Sequence, residues 1–180
     1  MESTGSNRLD APSGSSRLLP DAGATRALGA ELARLLGATR SPTLLLSGEL
    51  GAGKTCLVQG LAAALGIDEP ITSPTFALAQ HYRGRAGVLV HLDLYRLEES
   101  AAADELLAQE EENAWELGAL LAVEWPERLS QLPLEGWRVE LLLRDPADPE
   151  RGRRAVITPP AQVGGVRPRP PLPGAPAAPR

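Results

Sequence analysis

Apolar positions along the chain gather into short runs whose spacing changes from one run to the next. Ala24 to Leu36 places Leu28, Leu32, Leu35 and Leu36 at helical spacing and meets a stop at Gly37, which predicts a packing helix. Thr43-Leu44-Leu45-Leu46-Ser47 reads as a short buried strand, and Thr55 to Leu65 as a second helix closed by Gly66. Ile67 to Pro74 is a connection broken by Pro70 and Pro74. Thr75 to Tyr82 then alternates through Phe76, Leu78, Gln80 and Tyr82, and Val88 to Asp93 resumes after an Arg83 to Gly87 turn, which predicts a hairpin. The acidic, alanine-rich stretch from Glu98 to Trp115 favours a solvated helix. Leu120 to Val123 is another buried run, ending at Glu124. Pro126 to Leu132 reads as a short helix, and Arg138 to Leu143 and Arg154 to Thr158 as two final strands.

Strands alternating with helices imply an α/β fold in three layers, and the hairpin makes its sheet mixed, though mostly parallel. One domain is expected, over residues 19–158. Residues 1–18 are rich in Ser and Gly, lack an apolar run, and read as a disordered leader with no secretory signal. Residues 159–180 hold eight prolines, three arginines and no acid, and read as a disordered tail whose Pro170-x-x-Pro173 spacing suits a polyproline ligand.

Charge and cysteine usage narrow the function classes. The formal charge is −5, and without the tail's three arginines residues 1–158 carry 15 basic against 23 acidic groups, a net −8. Such a body repels nucleic acid, so any role in an RNA pathway requires another subunit to hold the RNA. A single cysteine, Cys56, permits neither an intramolecular disulfide nor a cysteine metal cage, and it reads as a small packed residue. No stretch approaches a membrane span, which points to the cytosol.

Of eighteen basic residues only Lys54 is a lysine, and it sits in GELGAGKT, Gly48 to Thr55, a full match to the phosphate-binding loop Gly-x-x-x-x-Gly-Lys-Ser/Thr. A compact ammonium reaches the outer phosphates of a nucleotide as a point charge where a planar guanidinium does not. Backbone N–H groups of the loop wrap the phosphates, and the following helix adds the partial charge of its N-terminus. A Mg²⁺ ion, shared among Thr55, phosphate oxygens and water, needs a carboxylate, and two acids end apolar runs: Asp93 and Glu124. Both fall at strand ends, where open α/β sheets collect ligands. Ser73-Pro74-Thr75-Phe76 offers two hydroxyls beside a turn, a candidate switch. His81 and His91 read as ordinary structural or surface residues, and Glu110-Glu111-Glu112 as a solvated face.

In order along the chain stand Leu-Pro-Asp to Ala-Thr at Leu19 to Thr25, the loop GELGAGKT, SPTF at Ser73 to Phe76, HLDLYRL at His91 to Leu97, and VEWPERL at Val123 to Leu129. This series closely resembles the TsaE family, the ATPase component of bacterial tRNA threonylcarbamoyladenosine synthesis, over about Leu19 to Thr158. The resemblance implies a small P-loop ATPase working with TsaB and TsaD proteins, which transfer the threonylcarbamoyl group; tRNA is engaged only through them. It implies that Leu50, Gly51, Ala52, Gly53, Lys54 and Thr55 hold ATP, that Thr55 and Glu124 hold Mg²⁺, and that Asp93 serves hydrolysis with Lys54 and Glu124. Trp125 falls at a family functional position, and Ala22 and Gly152 fall near the nucleotide. Cys56 replaces a second threonine found in many relatives, and residues 97–119 align poorly with the family's Leu-Gly pattern.

Two other functions fit the same loop: a small-molecule kinase, and a docking module in which ATP orders Ser73 to Phe76 without being cleaved. A GTPase would need an Asn-Lys-x-Asp motif, which a chain with one lysine, already in the loop, lacks.

Overall fold

The structure, a computed structural model, describes residues 14–37 and 43–160; the leader before residue 14 and the tail after residue 160, with Pro170-x-x-Pro173, lie outside them. The elements run β1 (Ser15–Leu19), α1 (Ala22–Gly37), β2 (Thr43–Gly48), α2 (Lys54–Ala64), β3 (Ala79–Arg83), β4 (Val88–Asp93), α3 (Ser100–Leu117), β5 (Leu120–Glu124), β6 (Trp137–Leu143) and β7 (Arg153–Thr158). Single 3-10 turns lie at Pro126–Arg128 and Pro149–Arg151.

All seven strands form one sheet in the order β1-β7-β6-β2-β5-β4-β3. β2 lies between β5 and β6 and parallel to both, and β4 is parallel to β5. The edges turn antiparallel, β3 against β4 on one side and β7 against β6 and β1 on the other. Strand alternation divides the core into two. Leu44, Leu46, Leu89 and Ala122 pack with Leu28, Leu32, Leu57 and Leu61 of α1 and α2. Leu45, Val90, Leu121 and Val123 pack with Ala103, Leu107 and Ala114 of α3. Burial of each such leucine contributes about 1.5–3 kcal/mol, so β2, apolar on both faces, anchors the phosphate loop to the most buried part of the sheet.

Four expectations need correction. Ser15–Leu18, assigned to the leader, is strand: β1 pairs with β7 from Ser15↔Ile157 to Leu19↔Arg153. The first strand of the hairpin starts at Ala79 rather than Thr75, because a turn closed by Leu78 N–H donating to Pro74 O (2.6 Å) precedes it and Leu78 is left-handed at φ 65°. The helix expected from Pro126 to Leu132 is one 3-10 turn. Within the supposed solvated face of α3, Glu110 is buried, with His81 Nε2 at 2.7 Å from its Oε2 and Asn113 Nδ2 donating to that oxygen at 3.2 Å.

Candidate functional site

β2 delivers the chain at Gly48 to the loop, and α2 begins at Lys54 behind Gly53, whose backbone is left-handed at φ 105°. That backbone conformation is what requires glycine at position 53; a Cβ there would also meet the Arg153 guanidinium, the movable end of a long side chain. No side chain caps the N-terminus of α2, and its first turn holds no acid. Its leading N–H groups are therefore available to an anion.

Parallel pairing sets Asp93 of β4 opposite Glu124 of β5, and β2 opposite β5 from Leu46↔Glu124. The loop and both acids thus meet at one end of the sheet, on the α1/α2 side. Thr55 Oγ1 donates to Glu124 Oε1 at 2.8 Å, joining the first turn of α2 to the end of β5. Asp93 Oδ2 accepts from both switch hydroxyls, Ser73 Oγ and Thr75 Oγ1, the latter at 2.8 Å, while Oδ1 accepts the Tyr95 N–H at 2.9 Å. A cavity of about 280 Å³ lies between the loop, the switch segment and the two strand ends.

Lys54 points into this arrangement yet is only 5 % exposed. Its Nζ donates to Gly48 O (2.6 Å) and Glu49 O (3.0 Å) and lies 3.9 Å from the centroid of the Trp125 ring. Burial lowers its pKa below the ordinary lysine value, against the opposing pull of Glu124, Glu127 and Asp93. Trp125 is left-handed at φ 60°, with its N–H donating to Leu46 O (3.1 Å) and its ring 4.9 Å from that of Tyr95. Such a backbone in a bulky residue costs about 1–3 kcal/mol and is held by its surroundings. Leu78 and Trp125 are the two non-glycine residues at positive φ among the described residues; Trp125 lines the cavity, and Leu78 accepts the Asp93 N–H through its carbonyl.

Leu50, Gly51, Gly53, Lys54 and Thr55 line the cavity, as do Ser73, Thr75, Asp93, Glu124 and Trp125. Three expected positions do not. Ala52 is fully buried beneath the loop, Ala22 approaches through its carbonyl, 3.4 Å from the lining Cys56 Sγ, and Gly152 packs its left-handed backbone (φ 89°) against Leu19 and Pro20. The cysteine read as simple packing thus lies on the cavity wall.

Three further residues belong to the site. Tyr95 packs its ring against that of Trp125 at a tilt of 46° and orients Asp93 through its N–H. Arg153 is buried against Gly53, with Nη2 donating to Pro149 O at 3.1 Å. His91, given no role from the sequence, places Nε2 2.9 Å from Glu124 Oε1. Its position two residues before Asp93 in a strand was the available signal, since that spacing puts both on one face.

The donor set suits Mg²⁺: a hydroxyl and a carboxylate already in contact, both hard oxygen ligands, with a second carboxylate beside them on the adjacent strand. Among the described residues no three His, Cys, Asp or Glu side chains gather into a metal cage. No helix among the described residues is long and apolar enough to cross a membrane.

A family model for TsaE, threonylcarbamoyl adenosine biosynthesis protein, matches residues 19–154. The tRNA threonylcarbamoyladenosine biosynthesis protein TsaE of Nostoc is 43 % identical over 145 residues, covering 78 % of this chain and 83 % of the relative. The protein of the same name from Synechocystis is 48 % identical over 120 residues, covering 64 % and 72 %. Among solved structures, YdiB of Bacillus subtilis superposes with a TM-score of 0.59 at 25 % identity, covering 82 % of this chain and 86 % of that one.

Proposed function

The chain belongs to the TsaE family, and from that premise we propose that it is an ATPase that binds Mg·ATP in the cavity above α2 and supports turnover of a TsaB–TsaD complex in tRNA threonylcarbamoyladenosine formation. The observation that carries the reading is the Thr55–Glu124 contact beside Lys54: a hydroxyl, a carboxylate and an ammonium converge at a helix N-terminus that no side chain caps.

In this reading the amides of Leu50 to Thr55 cradle the phosphates, and Lys54 leaves the carbonyls of Gly48 and Glu49 for the outermost of them. Thr55 and Glu124 hold Mg²⁺, which when bound neutralises phosphate charge and orients the oxygens. Asp93 couples the cavity to the switch through Ser73 and Thr75, so that it both faces the phosphates and fixes the segment able to sense them. Among the described residues Lys54 is the one cation that lines the cavity. A site with one cation stabilises transition-state charge poorly, which supports slow hydrolysis alone and completion by a partner. Leu50, 75 % exposed on the cavity wall, and Phe76, 83 % exposed beside Thr75, suit such docking.

Reconstitution with TsaB, TsaD and tRNA tests the proposal. Lys54→Ala should abolish nucleotide-dependent modification and hydrolysis; hydrolysis unaffected by that change, or modification that proceeds without the chain, would overturn it. Glu124→Ala distinguishes the docking module, which would still support modification with ATP left uncleaved.

A further inference from the structure

We propose that His91 is a positioning residue that holds the Glu124 carboxylate in its metal-binding orientation; the inference rests on the Mg·ATP reading above. His91 lies in β4 opposite Ala122, whose small side chain leaves room for an imidazole on the sheet. The ring is fully buried, on the sheet face that Leu89 of the same strand shares with α1 and α2. An ionised carboxylate only accepts, so the 2.9 Å contact requires Nε2 to carry the hydrogen and donate to Glu124 Oε1. The other ring nitrogen, Nδ1, is buried with no hydrogen-bond partner among the described residues.

A polar ring withdrawn wholly from water with one nitrogen unmatched is costly, and an apolar side chain would fill the space at less expense. Its single polar contact is to Glu124. Thr55 Oγ1 donates to the same oxygen at 2.8 Å. Two donors converging on Oε1 fix the plane of the carboxylate and leave Oε2 occupied by neither. They differ in permanence. Thr55 is itself a ligand in the proposed site, so its hydroxyl must serve the ion as well, whereas His91 lies behind the carboxylate and serves it alone. Partners behind a ligand carboxylate typically govern metal affinity by 10–100-fold without touching the metal.

Nucleotide affinity measured by calorimetry, using ADP in the presence of Mg²⁺ and in the presence of a chelator, separates this role from general support of the fold. His91→Leu should leave chelator-state affinity within about twofold and reduce the Mg²⁺-dependent gain by about tenfold or more. His91→Gln, which returns an N–H near the Nε2 position, should restore most of that gain. A full gain in His91→Leu, or equal loss with and without metal, would overturn the role of the histidine while leaving the wild-type reading intact. A wild type with no Mg²⁺-dependent gain would overturn both. A readout independent of variant folding is available because the chain has two histidines. With ¹⁵N-labelled histidine, the His91 Nε2 resonance should move when Mg²⁺ is added to the ADP complex; a resonance indifferent to the metal would also overturn the proposal.

Discussion

Gly60→Ala sets helix propensity against packing, and the geometry decides the sign. Exchanging glycine for alanine inside a helix gains about 1 kcal/mol in isolation. Here α1 and α2 approach through reciprocal glycines. A Cβ on Gly60 would overlap the Arg26 carbonyl oxygen and stand 2.7 Å from its carbon and 2.9 Å from Arg26 Cα; one on Gly29 would overlap the Leu57 carbonyl and stand 3.1 Å from Gly60 Cα. The obstacle is backbone inside a helix, which cannot rotate aside. Overpacking costs about 1–3 kcal/mol, and a rigid obstacle places this site at about 3. The net expectation is a loss of about 2 kcal/mol, or a fall of about 6–8 °C in melting midpoint for a domain of this size. Since α2 carries Lys54 and Thr55 in its first turn, nucleotide affinity should weaken as well. Thermal denaturation followed by circular dichroism measures the first effect. Gly37→Ala is the control, because among the described residues no atom beyond its chain neighbours and its own helix lies within 4 Å of the added Cβ. A Gly60→Ala midpoint equal to or above wild type would refute the reasoning.

Gly152→Ala should lower stability by about 1–3 kcal/mol, because the residue is left-handed (φ 89°) and its Cβ would lie 2.7 Å from Leu19 O; chemical denaturation reads this as a reduced midpoint. Asp93→Asn retains an acceptor for Tyr95 N–H but loses the charged acceptor of Ser73 and Thr75, so hydrogen exchange should accelerate over 73–78 for a stability cost of about 1–3 kcal/mol. Burial depresses the Lys54 pKa, so the unfolded chain holds more protons between the folded and unfolded values, and this residue's contribution to stability rises with pH through that window. Nucleotide affinity should respond in the opposite sense, falling as pH rises through the depressed value, because phosphates favour the ammonium. Calorimetry in buffers of different ionisation enthalpy should accordingly detect proton uptake on binding in that range, and its absence would count against Lys54 as the phosphate ligand.

How much of this was readable in advance depended on whether a residue's role is local. β2, the loop and α2 follow from contiguous signals: an apolar run, glycines, and a helix with its stop. Asp93 and Glu124 could be picked out as strand ends, and parallel register then placed them side by side. β1 could not be recognised so. Four of its five residues are exposed, with no alternating apolar face, and its strand character is conferred by β7 from the far end of the sequence. Glu110 looked like its acidic neighbours because the histidine facing it, His81, lies 29 residues away on β3. The premature start assigned to β3 arose because alternation continues through Phe76 and Leu78, while the backbone there is committed to a turn tied to Asp93. His91 shows the opposite failure: the period of two was visible, but an imidazole amid apolar residues was given the ordinary structural meaning.

The shielding of Lys54 by the Trp125 indole turns a compositional oddity into an instrument. Because no other lysine occurs in the 180 residues, an amine-acylating reagent has a single side-chain target, and that target is covered. With acylation slower than reclosing, its speed at a fixed pH measures the share of time that this amine stands uncovered, a property of the cavity read without any ligand in it.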